Sequence, residues 1–589
     1  MSAYNAPLEE MFFAMTSIAN LDDFVSISGN EDVSSENVKL LIEEAGKFAK
    51  EKLDNINVEG DNIGIRLENG IVRMPDSFIS SYKSFVESGW FSVIGKKQFG
   101  GQDFPWTVLA CINEIWESAN MSFAVNNMLT QGAIELIQEH GSKLQKELYL
   151  PNLISGKYSG TMNLTEPHAG SDLSDLKTKA QIKAEKYLIK GTKIYITHGD
   201  QDMSDNIIHM VLARLPDAPK GNKGISLFLV PKYYDDEKGN RIKNDIKVVS
   251  IEHKLGHTAS PTCVLSFGEN NECVGELIGE PHNGLKAMFT MMNNARLNVG
   301  IQGVAIAERA YQKALSFSKE RKQGFSFKKG QKESVYIIEH PDVKRMLLEM
   351  KSQIEAMRGL TVFTAEAIDY SSKLSNIENR KEYLNLSSLL TPVVKAWCTD
   401  LSVTITSLGI QIHGGMGFIE DTGAAQYFRD SRILPIYEGT NGIQALDLLK
   451  RKLPLEGGKT FEKLLNKIKI TASDCKKFDE LVIMGELLEK AVANLESSAS
   501  WLKEEIGQNP ENALAGATPF LNMFGWILGG WIMCKSSLAV KNNTNKEISD
   551  KFCNEKISTS LFFCTTYLPT ASSLMSTIVN SHKSLKIIC

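Results

Sequence analysis

At 589 residues the chain exceeds one ordinary domain, and three or four are expected. With 42% apolar and 23% charged residues and a net charge of −5, it reads as a soluble globular protein with no electrostatic reason to seek nucleic acid. Its nine cysteines form no CxxC pair, which speaks against a zinc site or disulfide framework and for a reducing, cytoplasmic setting.

The first twenty residues hold Glu9 and Glu10 and no lysine or arginine, unlike a signal or transit peptide. Residues 1–158 read as mainly helical, with apolar positions at three-to-four spacing over Asn37–Leu53 and Trp106–Glu117. Gly100 to Pro105 is a loop between helices. The period then changes. Alternating apolar and β-branched residues over Tyr187–Ile196, Ile207–Leu215 and Ile225–Val230 predict strands, with a charged turn at Asp235–Gly239. Residues 159–283 thus read as an all-β middle domain. From Leu285 the helical period returns. His340-Pro341-Asp342 predicts a helix start with Asp342 as N-cap, and Thr391-Pro392 predicts another that ends at Gly414-Gly415. Leu453-Pro454 with Gly457-Gly458 marks a boundary, so 284–453 and 454–589 read as two further helical regions. The last holds no arginine and sets 15 lysines against 14 acids. Its uncharged stretch Ala513–Cys534 approaches the length of a membrane span. Pro519, Asn522 and several glycines interrupt it, which favours a buried bundle helix over membrane attachment.

The most telling segment is 429–444, Arg-Asp-Ser-Arg-Ile-Leu-Pro-Ile-Tyr-Glu-Gly-Thr-Asn-Gly-Ile-Gln. Glu438 stands after an apolar run, where desolvation raises a carboxylate toward general-base range. Gly439 beside it lets a ligand approach the backbone. A surface glutamate in a helix-to-helix turn is the competing reading. Three more strings accompany it: Thr-Met-Asn-Leu-Thr-Glu-Pro-His-Ala-Gly-Ser-Asp at 161–172, Lys-Ile-Tyr-Ile-Thr at 193–197 and Gln-Ile-His-Gly-Gly-Met-Gly-Phe at 411–418. The 167–171 turn offers backbone N–H groups to anionic atoms, though an ordinary connecting turn would look the same. No GxGxxG follows a strand, so a Rossmann dinucleotide site is unsupported.

In this order the four strings resemble the acyl-CoA dehydrogenase family, whose usual forms are TEPxAGSD, W-I-T, QxxGGxGF and IYEGT. The likeness covers roughly 80–450. It implies a multidomain α+β fold: an N-terminal helical domain (1–158), a middle β-barrel or sandwich (159–283), a C-terminal helical bundle with the catalytic base (284–453), and the added helical domain of larger bacterial members (454–589).

The resemblance also implies FAD, held between the β domain and the C-terminal helices. Met162, Leu164 and Thr165 would border the flavin ring, with methionine standing where the family usually has an aromatic residue. Tyr195, in place of the usual tryptophan, would stack on the ring, and Thr197 would sit near its N5. Arg321 and Gln323 would reach the pyrophosphate of a neighbouring subunit, although the phenylalanine usually found between Gln323 and Gly324 is missing. Gln411, Gly414 and Gly415 would meet the same diphosphate or ADP end, and Thr440 the adenosine side. Ser171, Asn293, Arg296 and Gly439 would contact acyl-CoA. Some members carry the base just before the arginine matched by Arg296. Ala295 stands there and cannot accept a proton, so Glu438 is the matched base. It would remove the α-proton while the β-hydrogen leaves as hydride, the thioester oxygen held by the Glu438 N–H and a ribityl hydroxyl. His198 and His413 read as satisfied polar residues beside loops.

The product would be a trans-2-enoyl-CoA, with electrons passed to electron-transferring flavoprotein and the subunits forming a homodimer or homotetramer. Among large bacterial members some act broadly on fatty acyl-CoA, and one group acts on 3-methylthiopropanoyl-CoA in dimethylsulfoniopropionate breakdown; the whole-chain likeness leans to the latter or another short acyl-CoA. An alkylation-response DNA-binding relative and an acyl-CoA oxidase are the competing functions. The arginine-free C-terminal region argues against the first, and the base segment fits a dehydrogenase better than the second.

Overall fold

The computed structural model of the protein describes residues 3–30, 32–184, 186–236, 238–326, 333–542, 548–585 and 587. They form two compact units, one of residues 47–105 and 119–295, the other of residues 1–46, 106–118 and 296–589.

The first unit holds an eight-stranded sheet beside helices that include Asp76–Glu87, Met121–His140 and Lys143–Ile154. The strands run in the spatial order Ile246–Ile251, Thr262–Phe267, Lys186–Thr197, Val274–Ile278, Ile225–Pro231, Asn206–Arg214, Tyr158–Asn163, and Lys179–Lys183 pairs with Lys186–Thr197 and Asn206–Arg214. Lys186–Thr197 is long enough to pair with Thr262–Phe267 through one end and with Val274–Ile278 through the other. Ile189, Val211, Phe228, Leu265 and Phe267 pack between the strands as the core. The three strands expected from alternation are present with ends shifted by at most one residue. Asn206–Arg214 is buried on both faces, so its apolar run is nearly continuous rather than alternating.

The second unit is helical. Helix Gly284–Glu320 enters it at Arg296 and packs there on Ile377–His413, because Gly300 and Gly303 let Val394 and the Cys398 backbone approach. Two sequence expectations are corrected. Asp342 is not the N-cap of helix Pro341–Lys373: His340 caps it, Pro341 takes the first helical position and Asp342 lies in the first turn, where its charge suits the helix dipole. Thr391-Pro392 does not begin a helix either, since Ile377–His413 runs through Pro392. The proline removes one backbone hydrogen bond, but Leu389, Leu390, Val393 and Val394 around it are buried, and that packing carries the helix across.

The last region folds as helices Lys459–Cys475, Val482–Gln508, Ala517–Lys541 and Asp550–Asn580. Ala517–Lys541 is long and apolar enough to cross a membrane, yet 78% of its most apolar window is buried inside the protein. Its glycines explain this. A Cβ built on Gly525 would stand 2.3 Å from Trp397, and one on Gly530 would stand 2.5 Å from Leu568, so the glycines are where two neighbouring helices fit. Trp531 donates to Thr471 at 2.9 Å. Lys556, on the final long helix, is buried between Glu355 (2.7 Å) and Glu10 of the first helix, Leu8–Phe13. Elsewhere in the bundle Arg358 bridges Glu114 at 2.6 Å and Glu308 at 2.8 Å, a buried cation whose charge is met by two carboxylates. The eight described cysteines are free thiols.

Gly525→Val should overpack the Trp397 contact and cost about 1–3 kcal/mol. A clear fall in thermal midpoint by calorimetry is expected, against none for Gly507→Ala, where no atom lies within 4 Å of the added carbon.

Candidate active site

Glu438 lies between helices Ala424–Ser431 and Asn441–Asp447, in the left-handed region at φ +57, with Gly439 following at φ +84. A left-handed non-glycine residue persists only where its surroundings hold it, and the holding contacts are specific. Arg296 Nε donates to the Glu438 carbonyl at 3.2 Å. Gln444 Nε2 reaches the same oxygen at 3.2 Å and the Gly439 carbonyl at 3.1 Å. Lys395 Nζ donates to the Gly439 carbonyl at 3.0 Å and to Asn441 Oδ1 at 2.8 Å. Thr440 caps the next helix by accepting from the Ile443 N–H. On the other side the Tyr437 hydroxyl donates to Gln302 Oε1, and Gln302 also bonds Glu117, a carboxyl 2% exposed. Burial first, then the nearby Glu114 charge, hold Glu117 protonated well above the usual carboxylate range.

All these anchors grip the backbone or the flanks. Among the described residues, no hydrogen bond ends on the Glu438 carboxylate or begins at its N–H. The residue is half-buried, so the carboxyl keeps an open side while crowded by protein. Burial pushes it up to about 7, against the pull of Arg296 and then Lys395. A carboxyl titrating there is suited to accept a proton at neutral pH. Arg296 is itself buried, 3.9 Å from Asp447.

The other candidates fall into separate places. In the sheet-bearing unit, Met162, Leu164 and Thr165 are half-buried and lead into an exposed turn that contains Ser171. Glu166 anchors that turn from inside: its carboxylate accepts from the Lys177 and Thr178 N–H groups at 2.7 and 3.0 Å and from Lys193 Nζ at 2.8 Å. Burial opposes its charge, and Lys193 with these hydrogen bonds outweighs burial, holding it below the usual range. Tyr195 sits at φ +59 and is 61% exposed, and Thr197 is half-buried two residues on. Asn293 is exposed. In the helical unit, Arg321 and Gln323 are exposed at and beside a two-stranded ribbon, Lys322–Phe325 with Ser334–Tyr336. Gln411, Gly414 and Gly415 are exposed at the end of Ile377–His413. Within that unit Glu438, Gly439, Thr440 and Arg296 come together.

His413 Nδ1 donates to Gly409 O at 2.7 Å, and the ring stacks on Phe317. His198 departs from expectation: its Nε2 meets Ser122 O at 3.4 Å, but its buried Nδ1 has no partner among the described residues. Burial drives it down to about 3, so it stays neutral.

Gln302, Glu117, Lys395 and Glu166 were missed from sequence. The one legible signal was Lys395, a cation inside the apolar run Val393-Val394-Lys395-Ala396-Trp397.

Four family models match in order: acyl-CoA dehydrogenase N-terminal domain over 35–157, middle domain over 161–269, C-terminal domain over 282–453, and acetyl-CoA dehydrogenase C-terminal-like domain over 464–586. The chain is 42% identical over 585 residues to the 3-methylmercaptopropionyl-CoA dehydrogenase of Ruegeria pomeroyi, covering 99% of both. The chain belongs to the acyl-CoA dehydrogenase family. It is also 32% identical over 585 residues to a butyryl-CoA dehydrogenase of Syntrophomonas wolfei, covering 96% of this chain and 95% of the other. Among solved structures, Caenorhabditis elegans ACDH-11 in complex with C11-CoA shares the fold at TM-score 0.75 and 20% identity, over 96% of this chain and 93% of the other. A structure of the electron-transferring flavoprotein of Acidaminococcus fermentans holds a chain 25% identical, TM-score 0.58, over 71% of this chain and 98% of its own.

Acyl-CoA dehydrogenases use FAD, and the residues present suit a planar, anionic cofactor. Tyr195 holds an aromatic face out of the sheet instead of packing it. At Gly414, φ +61, and at Gly415 no atom lies within 4 Å of a built Cβ, which leaves the backbone there open to a ligand.

The raised Glu438 value sets a stability prediction. Ionising this carboxyl disfavours the folded state, so wild type loses stability as pH rises from the ordinary 4.5 through about 7. Glu438→Gln removes that dependence. Its thermal midpoint should match wild type near pH 4.5, exceed it increasingly up to about pH 7 and hold a constant gain above; parallel curves across that window would refute a perturbed Glu438.

Proposed function

We propose that Glu438 is the catalytic base of this dehydrogenase, abstracting the α-proton of a short acyl-CoA thioester, and that 3-methylthiopropanoyl-CoA is the substrate. The observation that carries the base assignment is the Glu438 carboxylate, free of hydrogen bonds and titrating near neutrality beside Arg296 and Lys395. A thioester α-carbon is a very weak acid, so the developing enolate oxygen must be stabilised as the proton leaves. Among the described residues the Glu438 N–H donates to nothing, which leaves it available for that oxygen. Arg296 and Gln444 fix the peptide after Glu438, and Tyr437 fixes the residue before it, so base and N–H donor keep one orientation. Bound FAD supplies the acceptor for the hydride lost from the β-carbon. Met162, Leu164, Thr165, Tyr195 and Thr197 would hold its ring, with Arg321, Gln323, Gln411, Gly414, Gly415 and Thr440 at its diphosphate and adenosine end. Ser171, Asn293, Arg296 and Gly439 would contact the CoA thioester.

The substrate rests on similarity along the whole chain to a 3-methylmercaptopropionyl-CoA dehydrogenase. The butyryl-CoA dehydrogenase relatives favour a second reading, a straight short acyl chain. Electron-transferring flavoprotein as acceptor is supported by the related chain from the Acidaminococcus structure. A homo-oligomer is supported by apolar side chains on the surface beside Gly414 and Gly415: Phe418 is 86% exposed, with Met416 and Ile419 next to it.

Glu438→Gln should keep the yellow flavin and slow its bleaching by substrate about 10²-fold or more; stopped-flow bleaching near the wild-type rate would sink the base assignment. A panel of acyl-CoA substrates, followed by dye reduction against peroxide formation, should give the highest kcat/KM with 3-methylthiopropanoyl-CoA and little peroxide. A higher value with butyryl-CoA would favour the second reading.

A further inference from the structure

Lys395 is the cation in this site with no carboxylate of its own. It lies on helix Ile377–His413, is 0% exposed, and its ammonium has two acceptors, the Gly439 carbonyl and Asn441 Oδ1. Neither is charged, and among the described residues no carboxylate lies within ion-pair distance of it. A buried ammonium so placed is costly, and an apolar side chain of similar size would ordinarily fit as well or better. The charge therefore calls for a partner. Asn441 does more than accept from it. Its Nδ2 donates to Ala396 O at 3.1 Å, Thr399 Oγ1 at 3.0 Å and Asp400 Oδ1 at 2.7 Å. Lys395 and Asn441 thus tie the residues after Glu438 to one helix from both sides.

From this arrangement we propose that Lys395 is a positioning residue for the base: it pins the Glu438–Gly439 turn and adds to Arg296 a second positive charge that helps keep Glu438 ionised and ready to accept a proton. The inference rests on Glu438 being the base, as proposed above. Arg296 exerts the larger pull on the Glu438 charge and Lys395 the second; the other charged groups around the pair are already engaged or neutralised. Arg296, from helix Gly284–Glu320, faces Glu438 but also Asp447, which is paired with Arg451. Lys452 beyond them has lost part of its affinity for a proton to burial. Asp400 accepts from Asn441 and is raised by burial, and Glu117 behind Tyr437 is held protonated, chiefly by burial. Residues 517–534 of helix Ala517–Lys541, also packed on this helix, carry no charge. Burial draws Lys395 itself down to about 7, and the Glu438 charge is the leading influence holding its proton on. Each group thus favours the charged form of the other.

The test uses the flavin-loaded enzyme and the second-order rate of flavin bleaching at sub-saturating acyl-CoA, which reports ionisations of the free enzyme. Lys395→Gln keeps a donor for Gly439 and loses the charge. Its pH midpoint should move up by about one unit or more, the size expected for losing a nearby opposite charge, with flavin content and thermal midpoint retained. Lys395→Arg should bring the midpoint back toward wild type, which a purely structural role would not require. Lys395→Met should in addition speed hydrogen–deuterium exchange across 437–442. A Lys395→Gln profile that superimposes on wild type overturns the proposal. If Lys395→Gln fails to fold, Asn441→Ser replaces it: removing one acceptor while keeping the charge should speed exchange over 437–442 and leave the midpoint in place, and a shifted midpoint or unchanged exchange would overturn the proposal. Glu438→Gln, run alongside, separates the two readings. Normal bleaching in that variant removes the base assignment and this inference with it, whereas lost bleaching with an unshifted Lys395→Gln midpoint removes this inference alone.

Discussion

A carboxylate that must take a proton from carbon cannot be satisfied beforehand. Every hydrogen bond it accepted would stabilise its charged form and lower its reach for a proton. With Glu438 proposed as the base, the architecture around it answers that constraint. The donors that could have met the carboxylate, Arg296 Nε, Gln444 and Lys395, end on the carbonyls of residues 438 and 439. The left-handed φ at Glu438 turns the chain so that those two carbonyls face the helices Gly284–Glu320 and Ile377–His413. The bundle thereby holds the segment rigidly through its main chain and leaves the reactive group unsatisfied.

The same protein shows what a purely structural buried charge looks like. Arg358 sits against Glu114 and Glu308, and Glu166 accepts from two N–H groups, a threonine hydroxyl and Lys193. These groups are paired with opposite charge and hydrogen-bonded several times over, and they fix helices or a turn. Glu438 and Lys395 are short of partners by comparison. The contrast, satisfied scaffold against unsatisfied site, supports the proposed roles more sharply than burial alone.

Much of this was legible in the sequence, unevenly. The raised Glu438 carboxyl was legible because a local signal, an apolar run ending in Glu-Gly, announces its burial. The strands were legible from their apolar and β-branched residues, including Asn206–Arg214, where both faces are buried and strict alternation is lost. Pro392 misled because local preference places a helix start there, while packing on both sides of it overrides that preference. Glu166 is obvious as a letter in a motif, yet its task depends on Lys193, 27 residues later. Lys395 depends on carbonyls 44 and 46 positions away. Such partnerships are tertiary, and no window of a single sequence contains them. The glycines of Ala517–Lys541 read as interruptions of an apolar helix, whereas Gly525 and Gly530 are points of close contact.

The buried Lys556 has a further consequence, in the order of events during synthesis. It joins Glu10 to Glu355 across 546 residues of chain. At ribosomal rates of about 5–20 residues per second, those residues take roughly half a minute to two minutes to appear. Through that interval the first helix, with Met11 and Phe13 meant for the interior, must wait for a lysine not yet made. The dehydrogenase bundle is therefore finished from the far end of the chain, and a nascent polypeptide needs its first apolar turns shielded until the last long helix arrives.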